Sequence, residues 1–381
     1  MYGKPLGSLA VGLALLAAAC SSGADTEGIR REAVENYANV ALEAYANTLA
    51  AATSMDVAID AFIADPTEDN LRVAKQAWLD ARNMYGVTEV FRFYGGPIDR
   101  AVDGVEGLVN TWPLDEAYID YVEGDSESGI VNDPVGYPTI DPSVLTAANE
   151  NGGETNVATG WHAIEFLLWG QDLDTEGPGA RPATDYSTAP NADRRGQYLA
   201  VLSDLLLVHL GGLVEEWEPD QDNYRTEFLA LDTDQALGMI LTGMGELTIG
   251  ELAGERLTVA YEERSQEDEQ SCFSDNTTND YLANIAGIEA VANGTFESVS
   301  GVGIVDAIAV SDADAADRLS RSIDVSKAAA ESIEPPLDQY LVVGIPDSDP
   351  GRVAMLSTIE ALEAQAIAIA SAATVLGVDV G

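Results

Sequence analysis

Apolar residues along this chain recur at three- and four-residue spacing, and no segment sustains the Val/Ile/Thr alternation of a half-buried strand. That property confines the fold to packed helices. The pattern predicts helices over 29–64, 68–93, a short one at 160–172, 192–217, and then near 234–264, 277–293, 311–333 and 351–376. Thr67, after Asp65-Pro66, is positioned to cap the second. Four helices before Pro219 and four after imply an all-α architecture of two four-helix-bundle-like domains, 29–218 and 219–381. The apolar run 299–305 fits this scheme least. Residues 100–155, rich in Gly, Pro, Asp and Asn, form a long irregular loop that leads straight into the 160–172 helix, and so read as a wall or lid of a site on that helix.

That short helix is Gly160-Trp161-His162-Ala163-Ile164-Glu165-Phe166-Leu167-Leu168-Trp169-Gly170-Gln171-Asp172. His162, Glu165 and Trp169 share one face, so an imidazole and a carboxylate project together and could reach one cation. The alternative is a core histidine bonded to a nearby carboxylate. The other histidine, His209, lies among Leu202, Leu206 and Leu213 and reads as structural. In the second predicted helix Arg82, Tyr85, Glu89 and Arg92 form a polar stripe, an arrangement that is usually solvated.

The 65 acidic residues against 18 basic give a net charge of −47, which repels nucleic acid and anionic headgroups from the folded body. With three lysines in all, such a surface suits strong salt, where the Debye length shrinks to about 3 Å at 1 M. Acidity therefore reflects salt adaptation and is no argument for metal binding. Residues 1–19 read as a signal peptide, with Lys4 before an apolar stretch too short to span a membrane. It ends Leu16-Ala17-Ala18-Ala19-Cys20, similar to a lipobox, so Cys20 is the expected lipidation site and 20–28 a tether to the membrane of a bacterial cell envelope, periplasmic or outer. This leaves Cys272 without a disulfide partner; the acids around it would suppress a thiolate.

Three stretches carry a family resemblance: Gly160-x-His162-x-x-Glu165; the Glu89 to Asp99 segment with its Arg92-Phe93-Tyr94-Gly95-Gly96-Pro97-Ile98-Asp99 turn; and Gln266-Glu267-Asp268-Glu269-Gln270-Ser271-Cys272-Phe273-Ser274-Asp275-Asn276-Thr277. Together they resemble the imelysin family, and within it the iron-regulated protein A subgroup of lipoproteins. The resemblance implies two similar helical bundles with a site in the cleft between them. On it, His162, Glu165, Glu89, Asp99, Glu255 and Asp275 are candidate metal ligands, with Arg92, Trp169 and Arg256 supporting them. Glu255 next to Arg256 could equally be a structural ion pair.

With two histidines and no His-Glu-x-x-His, the usual zinc-peptidase pattern is absent, as are nucleophile-elbow, phosphate-loop and paired-cysteine motifs. A metal at His162 must take oxygen as its other ligands, which favours a divalent or ferric ion, iron foremost, with zinc possible. The expected function is metal binding, of iron or a small iron complex, as part of uptake alongside other envelope proteins. The alternatives are a metallopeptidase with His162 and Glu165 as its catalytic pair and a metal-free interaction scaffold.

Overall fold

The computed structural model describes residues 12–380, with side chains from 26 onward; the signal peptide and Cys20 lie outside the described side chains. Helix α1 (Gly12–Ala64) is followed by α2 (Glu68–Gly86), which runs on as a 3-10 segment (Val87–Phe91). Four short helices, α3 (Glu106–Val109), α4 (Glu116–Ile119), α5 (Gly129–Asn132) and α6 (Pro142–Ala148), precede α7 (Gly160–Trp169) and α8 (Ala192–Trp217). Then come α9 (Tyr224–Leu229), α10 (Thr233–Glu246), a π-helical segment (Leu247–Thr258) and α11 (Val259–Glu263). The chain closes with α12 (Thr277–Asn293), α13 (Ile304–Ala309), α14 (Ala313–Ala330) and α15 (Pro350–Leu376). The fold is all-α. The 299–305 run supplies the exception, a two-residue hairpin pairing Thr295–Phe296 with Val299–Ser300, followed by α13.

α1, α2, α7 and α8 pack together, and α14 and α15 pack with each other, with the π segment against α15 and α12 against α14. α1 also reaches α10, α12 and α13, and one continuous apolar core runs through both sets.

The Thr67 hydroxyl accepts the Asn70 N–H, so the cap stands where the sequence places it. The second helix leaves α geometry at Gly86 rather than running to Phe93. There it meets α12 almost backbone to backbone: a Cβ on Gly86 would lie 2.6 Å from Ala283 Cβ, and one on Gly287 would lie 2.4 Å from the Val87 carbonyl. The polar stripe on α2 is consequently not solvated. Arg82, Tyr85, Glu89 and Arg92 are all buried against the second half of the chain.

The loop 100–155 is also more ordered than its composition suggests. Asp120, fully buried, accepts from Arg181 at 2.7 Å and from Arg195 at 2.6 and 2.9 Å, and this fastens it between α8 and the 181–186 turn.

Candidate functional site

All ten residues of α7 are buried. The helix starts at Gly160, whose φ of +88° is a conformation that L side chains rarely adopt. A Cβ there would stand 2.4 Å from the Val109 carbonyl oxygen. Gly160→Ala is therefore expected to cost several kcal/mol and to misplace His162, two residues on. A melt of that variant unshifted from wild type would contradict this.

His162 Nδ1 lies 2.9 Å from Glu165 Oε2, while Glu165 Oε1 accepts the Ser274 backbone N–H at 3.0 Å and the Ser274 hydroxyl at 2.6 Å. The second-half motif and the His-x-x-Glu motif therefore meet through Ser274. Burial raises the Glu165 carboxyl to about 8, against the favourable bonds from Ser274. Burial, and after it the charges of Arg82 and Arg256, holds the His162 imidazole neutral. Its Nε2 is buried and has no hydrogen-bond partner.

Around this pair lies a buried network of charges. Glu89 Oε2 accepts from Arg92 at 2.8 Å and from Arg256 at 2.6 Å. Burial alone would raise Glu89, but the two guanidinium groups hold it at about 2. Arg82 donates to Asp280 at 3.0 Å and to Asn110, and Arg256 donates to Asn284. Arg256, buried in this network, stands in a π-helical segment over Leu247–Thr258, a form frequent at functional sites. Sequence periodicity gives no sign of it.

A cleft of about 310 Å³ opens onto the network. Arg92, Arg256, Asn110 and Gln270 line it, with acids Glu106, Glu251 and Glu255 at its sides. Trp112, Pro113 and Glu150 also line it, so the 100–155 segment walls this cleft, although His162 itself is not in its lining.

The candidate ligands separate. His162 and Glu165 stand together, whereas Glu89 is consumed by two arginines and is not free to ligate. Asp99 accepts the Phe93 N–H and braces the turn, and its burial raises the carboxyl. Glu255 is exposed at the cleft. Trp169 packs edge-on against Trp78, with the Lys75 ammonium 5.3 Å from its ring, rather than beside the arginines. His209 lies half-buried in a separate cleft near Arg100 and Glu216. Cys272 is buried, and burial together with Glu165 and Glu269 pushes its thiol well up.

Asp275 joins a different group. Oxygens of Asp172, Asp275 and Asp338 all lie within 4.8 Å of one another. Burial, and beyond it mutual repulsion, raises Asp172 to about 6 and Asp275 to about 7, while burial and Asp174 raise Asp338 to about 6. Glu269 alongside is raised well above the carboxylate range by burial, then by Asp338. Asp172 and Asp338 were not among the sequence candidates. The Gly170-Gln171-Asp172 flank is the one signal that could have suggested the first.

A helical protein with a buried His-x-x-Glu pair, braced by a loop from its second half, is the class that this geometry defines. The family profile described as Imelysin matches residues 41–369, and the chain belongs to that family. It is 26% identical over 364 residues to iron-regulated protein A of Synechococcus elongatus, covering 93% of this chain and 88% of that one. Among solved structures it is similar to one described as an iron-regulated protein A precursor from Parabacteroides distasonis, at TM-score 0.70 and 18% identity over 92% of this chain and 95% of that one. An imelysin-like protein from Psychrobacter arcticum matches at TM-score 0.64 and 12% identity, over 93% and 98% respectively. At these identities the two structures speak for the fold.

Proposed function

We propose that this protein is an envelope-anchored binding protein, tethered through Cys20, that takes iron in the form of a small oxyanion-bearing complex at the cleft lined by Arg92 and Arg256, with His162 buried behind that charged wall. The observation that carries this reading is the buried, unpartnered Nε2 of His162. An imidazole whose Nδ1 is already engaged by a carboxylate is the usual metal-ligand arrangement, and occupation of Nε2 fixes the remaining ring proton on Nδ1, facing Glu165.

The rest of the donor set favours a complex over a bare ion. Both Glu165 oxygens are engaged, and Glu89 and Asp280 are held by arginines. One free imidazole nitrogen is too little for a protein-made metal site, so most of the coordination has to arrive with the cargo. Arg92 and Arg256 on the cleft wall would meet the anionic groups of such a chelate by exchanging their present partners Glu106 and Glu251 for them. The name of the Synechococcus relative supports iron as the metal.

The same arithmetic weighs against a peptidase, which needs a protein-held ion with an open position and a free base. Glu165, bonded on both oxygens, is poorly placed for either role. The test is titration of the intact protein with ferric citrate and with citrate alone, beside His162→Ala. One ferric complex per chain is expected, weakened at least tenfold in the variant, with casein left uncut. Binding indifferent to His162, or casein cleavage lost in Glu165→Gln, would overturn the reading.

A further inference from the structure

The carboxylates of Asp172, Asp275 and Asp338 come from three separate connections: after α7, before α12, and between α14 and α15. Asp338 is 2% exposed, and neither of its oxygens makes a hydrogen bond; its own N–H and that of Gln339 give the charge only partial relief. Glu269, 1% exposed beside them, also leaves both oxygens without a hydrogen bond, eased only by the nearby Thr277 hydroxyl. Among the described residues none of the four has a basic partner, although this protein elsewhere pairs its buried carboxylates Glu89, Asp120 and Asp280 with arginines. Gln266, donating to Asp172 at 2.5 Å, is the one side-chain donor to the three aspartates among the described residues.

Carboxylates crowded together without a cation must repel one another or take up protons, and a bound cation removes both costs. All four donors are oxygens, which selects a hard ion. Around calcium, with metal–oxygen distances of about 2.3–2.6 Å, opposite ligands stand roughly 4.6–5.2 Å apart, so three aspartate oxygens that all lie within 4.8 Å of one another can share that shell. Ligands on three connections would also let one ion clamp the loop that carries Ser274 against Glu165.

We propose that Asp172, Asp275 and Asp338, backed by Glu269, form a structural site for a divalent cation of calcium's size, separate from the His162–Glu165 pair. None of the three aspartates hydrogen-bonds to the His162 network, so the two sites can be tested apart. This one stands whether or not iron binds at His162.

The experiment is a calcium titration of the intact protein by calorimetry in 1 M KCl, which screens the acidic surface, with melts at each end point. Wild type and His162→Ala should each take one calcium per chain and melt higher when loaded. Asp338→Asn and Asp275→Asn should bind at least tenfold more weakly. Without calcium, Asp338→Asn should melt no lower than wild type, because it removes one of several crowded like charges. Should Asp338→Asn fail to fold, Asp275→Asn, at a half-buried position, carries the comparison. Absence of a stoichiometric site in folded wild type, equal affinity in the aspartate variants, or loss of calcium in His162→Ala would overturn the proposal.

Discussion

Glu89→Gln is expected to destabilise the protein by about 3–5 kcal/mol at neutral pH, the usual cost of removing one member of a buried ion network. Glu89 is 1% exposed and accepts from Arg92 and Arg256, whose remaining carboxylate partners, Glu106 and Glu251, are both less buried than Glu89. The glutamine keeps the shape and removes the charge, so the loss comes from two buried cations left short of an anion. Its pH dependence is specific. The folded pKa of about 2 lies below the roughly 4.3 of an unfolded glutamate, so this stabilisation is complete above about pH 4.3 and drains away as pH falls towards 2. At about 1.4 kcal/mol per pH unit, that interval holds about 3 kcal/mol. Urea titrations at pH 7 and at steps below 4.5 should show a large gap at neutrality that closes in acid. A gap under 1 kcal/mol at pH 7 would mean that Arg92 leans on Glu106 and Glu251 instead.

Asp120→Asn should have a comparable effect, with a local signature. Asp120 is fully buried and bonded to both Arg181 and Arg195, and the Asn132 amide donates to it at 3.2 Å. These guanidinium groups hold its carboxyl below its ordinary value against the opposing effect of burial, so at neutral pH the full ion network is present. Asparagine supplies one acceptor where the guanidinium groups use two, and it supplies no charge. A loss of about 3–5 kcal/mol corresponds to a drop in melting temperature of roughly 5–10 °C for a chain of this size. Because Asp120 fastens a segment that otherwise has little regular structure, hydrogen exchange should quicken first around 116–140. Uniform loosening across both halves would show that the pin acts on the whole core rather than on its loop.

The helices were legible because burial imprints a 3.6-residue period, so 192–217 and 277–293 appear in the structure with the predicted bounds. Turn chemistry located the start at Thr67. What sequence could not show is where polar side chains find partners 150 or more residues away. The α2 stripe looked solvated because nothing local reveals Asp280, Asn284 and Arg256 waiting opposite it. His162 and Glu165 were readable as a pair from their spacing within one helix. Asp275 was singled out for the wrong neighbours, since its partners Asp172 and Asp338 lie 103 residues before it and 63 after it, in loops without periodicity. The π-helical segment that carries Arg256 had no composition cue.

The central claim is that His162 Nε2 is the protein's donor to bound iron. With only two histidines in the chain, His209→Ala leaves His162 as the sole imidazole, and its nitrogens can be labelled alone with ¹⁵N-histidine. Pulsed electron paramagnetic resonance on that variant, loaded with ferric citrate, reads coordination directly. A ¹⁵N hyperfine coupling of the size of a directly bonded imidazole, absent after the further change His162→Ala, is the predicted result. A spectrum with bound iron and no such coupling would contradict the account and return His162 to a structural role.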